Sequence, residues 1–546
     1  MKTITFYSFK GGVGRSLMLS NMALWLADEM KAKVCVIDFD LEAPGLHHKF
    51  EDLQNPSDRA RLASTDGIVE YIDEFKQIGR PPADFERFYL PFKTKKGNPI
   101  SLIPAGNLQK ADYWRKLFDI NWQQLFEYDP ATGYSNGFLL LEDLKGRIEN
   151  ELAPDFLLID SRTGLTEIAS ITLKLLADKV ILMGINNPEN KDGLYWVLRN
   201  LHADPNSREL PYHLVLNQVP MQQGFGRNTK DPREKKISAE FLERFKDFAP
   251  PDDLAKRFSI VHADDELAFG EILQEGFYVE SQPKVQTRKD YWDVFTQVTK
   301  GYFTADQWAL FENKRRAYEL YYQAEFDTKE TQAKIELMNK AIGYCDDDAF
   351  LYNYRFKLHY QSYQNEAALS DIKKVVELKP DNALWHFNLG ITYNSQQKYA
   401  LGIAAYQKAI DIEPNFHEAW YNLGITYFNQ QEYASAIAAY QKAVEIKPNK
   451  HEAWYNLGVT YFNQQEYALA IAAYQKAIEI KPDDHKALYN LACTFALLNQ
   501  KKEALHWLKE ALQKGQLSLQ YVEEDNDWVS LKEDADFKAL LVQFAS

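Results

Sequence analysis

Lys10-Gly11-Gly12-Val13-Gly14-Arg15-Ser16 joins two segments of different period. Residues 4–8 before it are a short apolar run that reads as a β-strand; residues 16–30 after it read as a helix. Glycines at 11, 12 and 14 let backbone N–H groups turn inward onto an anion. The helix that follows presents its positive end to the same charge. The Ser16 hydroxyl is a hard oxygen donor placed to hold Mg²⁺. The stretch therefore reads as a strand, a phosphate-binding loop and a helix.

Working outward, further apolar runs fall at 34–37, 100–103, 156–159, 180–183, 213–216 and 258–261. Most are separated by helix-length segments, so a mostly parallel sheet with right-handed crossovers and helices on both faces is expected over 1–280. Residues 75–100 and 220–256 are polar and interrupted by proline, and read as excursions from that sheet. Several strands end in polar groups: 34–37 runs into Asp38-Phe39-Asp40, 156–159 into Asp160-Ser161-Arg162-Thr163-Gly164, and 213–216 into Asn217.

Beyond about 310 only helical patterning remains. Pro380, Pro414, Pro448 and Pro482 recur every 34 residues, the period of tetratricopeptide repeats. Trp420-x2-Leu423-Gly424-x2-Tyr427, Ala436-x3-Tyr440 and Pro448 follow that repeat's order, and Trp454 to Pro482 repeat it. Residues 417–450 and 451–484 differ at only five positions. The expected organisation is 1–280 nucleotide domain, 281–311 helical linker, 312–379 degenerate repeats, 380–515 regular repeats and 516–546 a helical cap. Ala317, Tyr321 and Ala324, then Ile372, Val376 and Leu378, carry the degenerate pattern. A repeat array needs a polar closing cap. Asn388, Asn422, Asn456 and Asn490 recur at one repeat position beside Phe387, Tyr421, Tyr455 and Tyr489. This amide and aromatic ladder would bind a protein or extended peptide on the concave face through Asn388, Tyr421, Asn422, Tyr455, Asn456 and Asn490. The competing reading is packing between repeats.

On the motifs at 10–16, 38–40, 160–164 and 217, residues 1–280 resemble the deviant Walker A ATPases of chromosome partition and division-site placement. The resemblance implies an α/β P-loop NTPase fold, ATP and Mg²⁺ as cofactors, and ATP hydrolysis. It implies nucleotide contacts from Gly11, Gly12, Val13, Gly14, Arg15, Ser16 and Leu17, and an adenine contact from Asn217. It places Mg²⁺ on Ser16, Asp38 and Asp160, and gives catalytic roles to Lys10, Arg15 and Asp40, with Asp40 orienting the attacking water. Lys10 would reach the nucleotide of a second copy in an ATP-dependent homodimer. Arg162 is a candidate sensor of the γ-phosphate. One departure stands out: Arg15 occupies the usual loop-lysine position, and an arginine fork is not equivalent to a compact ammonium. Binding survives this change more readily than fast turnover.

Composition bounds the rest. Of 546 residues, 45% are hydrophobic and 26% charged, as in globular proteins. The net charge of −15 disfavours nucleic acid. The run Arg227-Asn228-Thr229-Lys230-Asp231-Pro232-Arg233-Glu234-Lys235-Lys236 is basic but interleaved with acids. Cys35, Cys345 and Cys493 have no metal-like spacing. With no signal-peptide pattern and no apolar stretch of spanning length, a cytoplasmic protein away from membranes is expected. The reading that results is a slowly hydrolysing, nucleotide-switched ATPase whose repeats recruit a partner. Such fusions resemble components of bacterial signalling and antiviral systems. The alternatives are a non-catalytic nucleotide-stabilised scaffold and a DNA-cargo positioning ATPase.

Overall fold

The computed structural model describes residues 1–50, 61, 65–94, 96–127, 130, 134–161, 163, 172–202, 210–219, 232–263, 282–514 and 517–544. The chain forms two compact units, Met1–Tyr322 and Gln323–Ser546.

Among the described residues the first unit has eight strands: β1 (Lys2–Ser8), β2 (Val34–Phe39), β3 (Leu90–Lys93), β4 (Pro99–Ile103), β5 (Phe156–Ser161), β6 (Lys179–Gly184), β7 (Tyr212–Val219) and β8 (Phe258–His262). They form one sheet in the order β3-β4-β2-β5-β1-β6-β7-β8. Every pairing is parallel except β3 with β4. β1, β2 and β5 are buried along nearly their whole length, which is why they read as continuous apolar runs. β3 is the strand that the sequence hid. It lies at the sheet edge inside the stretch expected to be an excursion, alternates buried and exposed, and carries Pro91. An edge strand tolerates a proline because no further neighbour needs its N–H.

Register positions the site. Phe6 on β1 and Asp38 on β2 both pair with Asp160 on β5. The carboxyl ends of three central strands therefore meet where the 10–16 loop leaves β1, the edge at which open α/β sheets bind ligands. Helix α1 (Arg15–Asp28) leaves the loop and is almost wholly buried.

The segment read as a linker is part of this unit. Helix Gln282–Thr299 sets the fully buried Phe295 edge-on against Trp25 of α1, with ring centroids 5.7 Å apart. Helix Ala305–Tyr322 is tied to the end of α1 by Lys314 and Glu29, 2.8 Å apart. Ala317 and Tyr321, taken from the sequence as repeat positions, are buried in the first unit.

The second unit is all helical. After helix Thr331–Tyr344, five helix pairs follow among the described residues: Ala349–Gln361 with Asn365–Leu378, Ala383–Ser395 with Tyr399–Ile412, His417–Asn429 with Tyr433–Ile446, His451–Asn463 with Tyr467–Ile480, and His485–Leu497 with Lys501–Gln513. The turns inside the pairs place Tyr363, Gln397, Gln431, Gln465 and Asn499 at positive φ, between 56° and 64°. These five residues are 34 apart, so the degenerate pair 349–378 is in register with the regular ones. The repeat's glycines are steric necessities: a Cβ on Gly390, Gly424 or Gly458 would meet the Tyr406, Tyr440 or Tyr474 ring at 2.5–2.6 Å. Trp420 and Trp454 donate Nε1–H to the Pro414 and Pro448 carbonyls at 2.9 and 2.8 Å. At the end, buried Trp528 and Phe537 pack with Leu508 and Leu512 as the closing cap.

Candidate functional site

The 10–16 loop bends where its glycines allow. Gly12 and Gly14 have φ of 76° and 75°, a region costly for residues with a side chain. Gly11 and Gly12 are exposed, and a Cβ on either would meet nothing within 4 Å. Gly14 is different: its Cβ would lie 2.7 Å from Asn217 Nδ2. The Gly14 carbonyl accepts the first bond of α1, from Met18 N at 3.0 Å.

Around the loop, four of the expected residues join in one network. Arg15 Nε donates to Asp160 Oδ1, and Arg15 Nη2 donates to Asp40 Oδ2 at 2.7 Å. Ser16 Oγ donates to Asp160 Oδ2 at 2.5 Å. Arg15 Nη1 reaches Ser8 Oγ at 3.5 Å. The ion pair is deep, with the Arg15 side chain 7% exposed and that of Asp160 1%. Burial opposes the charge on Arg15, but Asp160 and Asp40 raise its pKa, so the guanidinium stays protonated. Burial raises Asp160 in turn, while Arg15 pulls it down.

Asp38 is placed differently. Its carboxyl accepts from the backbone N–H of Asp40 (3.1 Å), Gly45 (3.2 Å) and Leu46 (3.1 Å). It organises the turn that carries Asp40. Burial and then the Asp160 charge push its pKa up to about 8. Tyr113 OH donates to the Leu41 carbonyl at 2.7 Å and holds the same turn from the other side. This contact has no sequence signature, because helix Tyr113–Phe118 is remote from the motif.

Asn217 is engaged within the chain. Its Nδ2 donates to the Val13 carbonyl, and its Oδ1 accepts from Gln218 N at 2.8 Å. Gln218 Nε2 donates to the Gly12 carbonyl at 2.8 Å. Both residues clamp the loop backbone, and the role of Gln218 was not legible in the sequence. Lys10 pairs with Glu189 at 2.6 Å, with both side chains about half exposed or more; such pairs contribute only about 0–1 kcal/mol. Leu17 is buried in α1. Arg162 lies outside the described residues, as does 227–231 of the basic run.

Magnesium and its fit depend on the donor set. Ser16 Oγ and both Asp160 oxygens are hard ligands gathered beside the glycine loop, the oxygen-only chemistry Mg²⁺ prefers. Arg15 pairs with Asp40 and Asp160, the Asp160 charge also acts on Lys49, and burial raises Asp38 and Asp160. The residues present fit a divalent cation.

On the first helices of the repeats, the amides form a ladder. Asn456 Nδ2 donates to Tyr421 OH at 3.0 Å, and Asn490 Nδ2 donates to Tyr455 OH at 3.2 Å. Tyr489 OH ends the run by donating to Asp525 Oδ2 of the cap at 2.6 Å. The run starts at Tyr421 because the preceding residue of the series is Phe387, which has no hydroxyl. Asn422 Nδ2 turns instead to the Glu418 carbonyl of its own helix, at 2.9 Å.

Tetratricopeptide-repeat family models match residues 355–415, 396–451, 421–485 and 473–506. Residues 355–506 are tetratricopeptide repeats. No curated protein matches the chain. Among solved structures, the chain is similar to MamA at 29% identity, covering 29% of this chain and 94% of that one, with a TM-score of 0.29. It is similar to YrrB, described as a TPR protein with an unusual peptide-binding site, at 25% identity, covering 33% and 93%, with a TM-score of 0.30. MamA from Desulfovibrio magneticus RS-1 matches at 22% identity over 31% and 97%, with a TM-score of 0.30. Among the described residues, no helix is long and apolar enough to cross a membrane.

Proposed function

We propose that the Met1–Tyr322 unit binds ATP with magnesium at residues 10–17 and acts as a nucleotide switch, while the tetratricopeptide repeats bind a protein partner. The observation that carries this reading is the single network joining Arg15, Ser16, Asp40 and Asp160 beside an open glycine loop. The N–H groups of Gly11 to Leu17 would bind phosphate oxygens, aided by the start of α1. Ser16 and Asp160 would hold the magnesium ion, which supplies neutralising charge to the phosphates. Arg15 orients Asp160 and Asp40, and its fork can engage phosphate oxygens bidentately. Asp40, on the turn fixed by Asp38, would accept a hydrogen bond from the attacking water. Lys10, whose ammonium sits in an exposed ion pair with Glu189, can swing to a second copy of the chain.

On the repeats, Asn456 and Asn490 have committed an N–H to tyrosines, and among the described residues no hydrogen bond ends on the Oδ1 atoms of Asn422, Asn456 and Asn490. All three side chains are partly exposed. Together with Asn388 they present acceptors to the N–H groups of an extended peptide. The setting we propose is bacterial signalling or antiviral defence, on the resemblance alone.

Titration calorimetry with ATP and Mg²⁺, followed by phosphate release, tests the first part. Wild type should bind and turn over slowly; Asp40→Ala should bind and not turn over. Equal phosphate release from both would favour the second reading, a scaffold stabilised by nucleotide. The contacts of Arg15 and Ser16 with Asp160 favour that reading, because they occupy both oxygens of the carboxylate that a catalytic metal would need.

A further inference from the structure

We propose that Arg15 is a placeholder for the metal ion, so that the site accepts a divalent cation only together with a nucleotide. This rests on the ATP–magnesium reading above and adds an order of events to it. The carboxylate a cation would need is already engaged on both oxygens: Arg15 Nε on Oδ1 and Ser16 Oγ, at 2.5 Å, on Oδ2. The same guanidinium holds Asp40 through Nη2 at 2.7 Å. A guanidinium does not give up its proton in proteins, so it cannot yield the site by neutralising itself. It can yield only by moving. Until it does, an incoming cation meets a fixed positive charge in a place where water screens poorly.

The local geometry provides the exit. Arg15 is the first residue of α1, directly after the glycine loop. A Cβ built on Gly11 or Gly12 would have nothing within 4 Å, so there is room beside the loop for phosphates. Phosphate oxygens there offer the Arg15 fork a second bidentate partner. As Arg15 turns to them, it releases one Asp160 oxygen and the Asp40 carboxylate together. A lysine would not make this exchange in the same way, because its compact ammonium lacks the planar fork that meets a phosphate bidentately. Arginine at this position thus couples cation entry to nucleotide entry.

Binding of Mn²⁺ to the full chain, followed by electron paramagnetic resonance, tests this with and without a non-hydrolysable ATP analogue. Wild type should bind Mn²⁺ about tenfold or more tightly with the analogue than without it, a typical coupling between two ligands. Arg15→Gln should gain a similar factor in Mn²⁺ affinity without the analogue. Equal wild-type affinity in both conditions, or no gain in a folded Arg15→Gln chain, overturns the proposal. If Arg15→Gln does not fold, Arg15→Met, of similar length and without charge, takes its place with the same expected gain. Failure of the underlying reading looks different: wild type then binds no analogue, whatever its Mn²⁺ affinity.

Discussion

Gly14 and Asn217 show what single residues decide here. Gly14 combines φ of 75° with a Cβ position 2.7 Å from the Asn217 amide. Gly14→Ala should destabilise the first unit by about 1–2 kcal/mol from the left-handed backbone alone. Thermal melting of Gly14→Ala and of Gly14→Ala with Asn217→Ala checks this; the second change should not restore stability, because the backbone strain remains. That the glycine loop and the acids of 38–40 and 160 would gather at one sheet edge was legible, because a glycine-rich turn between strand and helix and acids ending apolar strands are local patterns. The role of Asn217 was not, because an amide after a strand can face a ligand or the loop beneath it. The repeat amides make the same point. Asn456→Ala should cost about 1 kcal/mol by removing the bond to Tyr421. Asn388, which makes no side-chain bond among the described residues, should cost nothing measurable. If both weaken partner binding, the ladder serves recognition and packing together.

At the scale of elements, β7 and β8 share a buried polar contact, His213 Nε2 to Ser259 Oγ at 2.9 Å. Burial, and then the Lys179 charge, lowers the His213 pKa from 6.5 to about 4. Between those values the unfolded chain binds the proton and the folded one does not. Stability is therefore complete above about pH 6.5 and is lost as pH falls toward 4, by up to about 3 kcal/mol. His213→Asn should flatten the acid side of the melting-temperature profile; an unchanged slope would place the sensitivity elsewhere. Strand existence was readable for seven of the eight strands because their apolar runs are long. β3 was not, since Pro91 and its exposed alternate residues look like a loop. The helices of 282–322 were misplaced for a related reason. Helical patterning marks them as helices but does not say which unit they pack on, and only contacts such as Trp25 with Phe295 do.

At the scale of the whole molecule, the loop and the end of the first unit are joined through α1. Arg15 opens that helix, and Glu29 caps its far end, tied to Lys314 at 2.8 Å and to Lys96 at 2.5 Å. Burial opposes the Glu29 charge, but Lys314 and Lys96 lower its pKa, so it stays ionised. Lys314 lies on helix Ala305–Tyr322, the last element before the repeat unit begins. If nucleotide shifts Arg15, α1 carries the shift to that helix. Hydrogen exchange of residues 305–322 should therefore slow when ATP and Mg²⁺ are added, and Glu29→Gln should abolish the response while leaving nucleotide affinity intact. The most direct measurement is titration calorimetry of the full chain with ATP in excess Mg²⁺, beside Asp160→Asn. One nucleotide per chain in wild type, with affinity reduced at least about tenfold in a folded Asp160→Asn protein, is the expected result. No binding by wild type, or equal binding by both proteins, would contradict a magnesium–ATP site at the 10–16 loop.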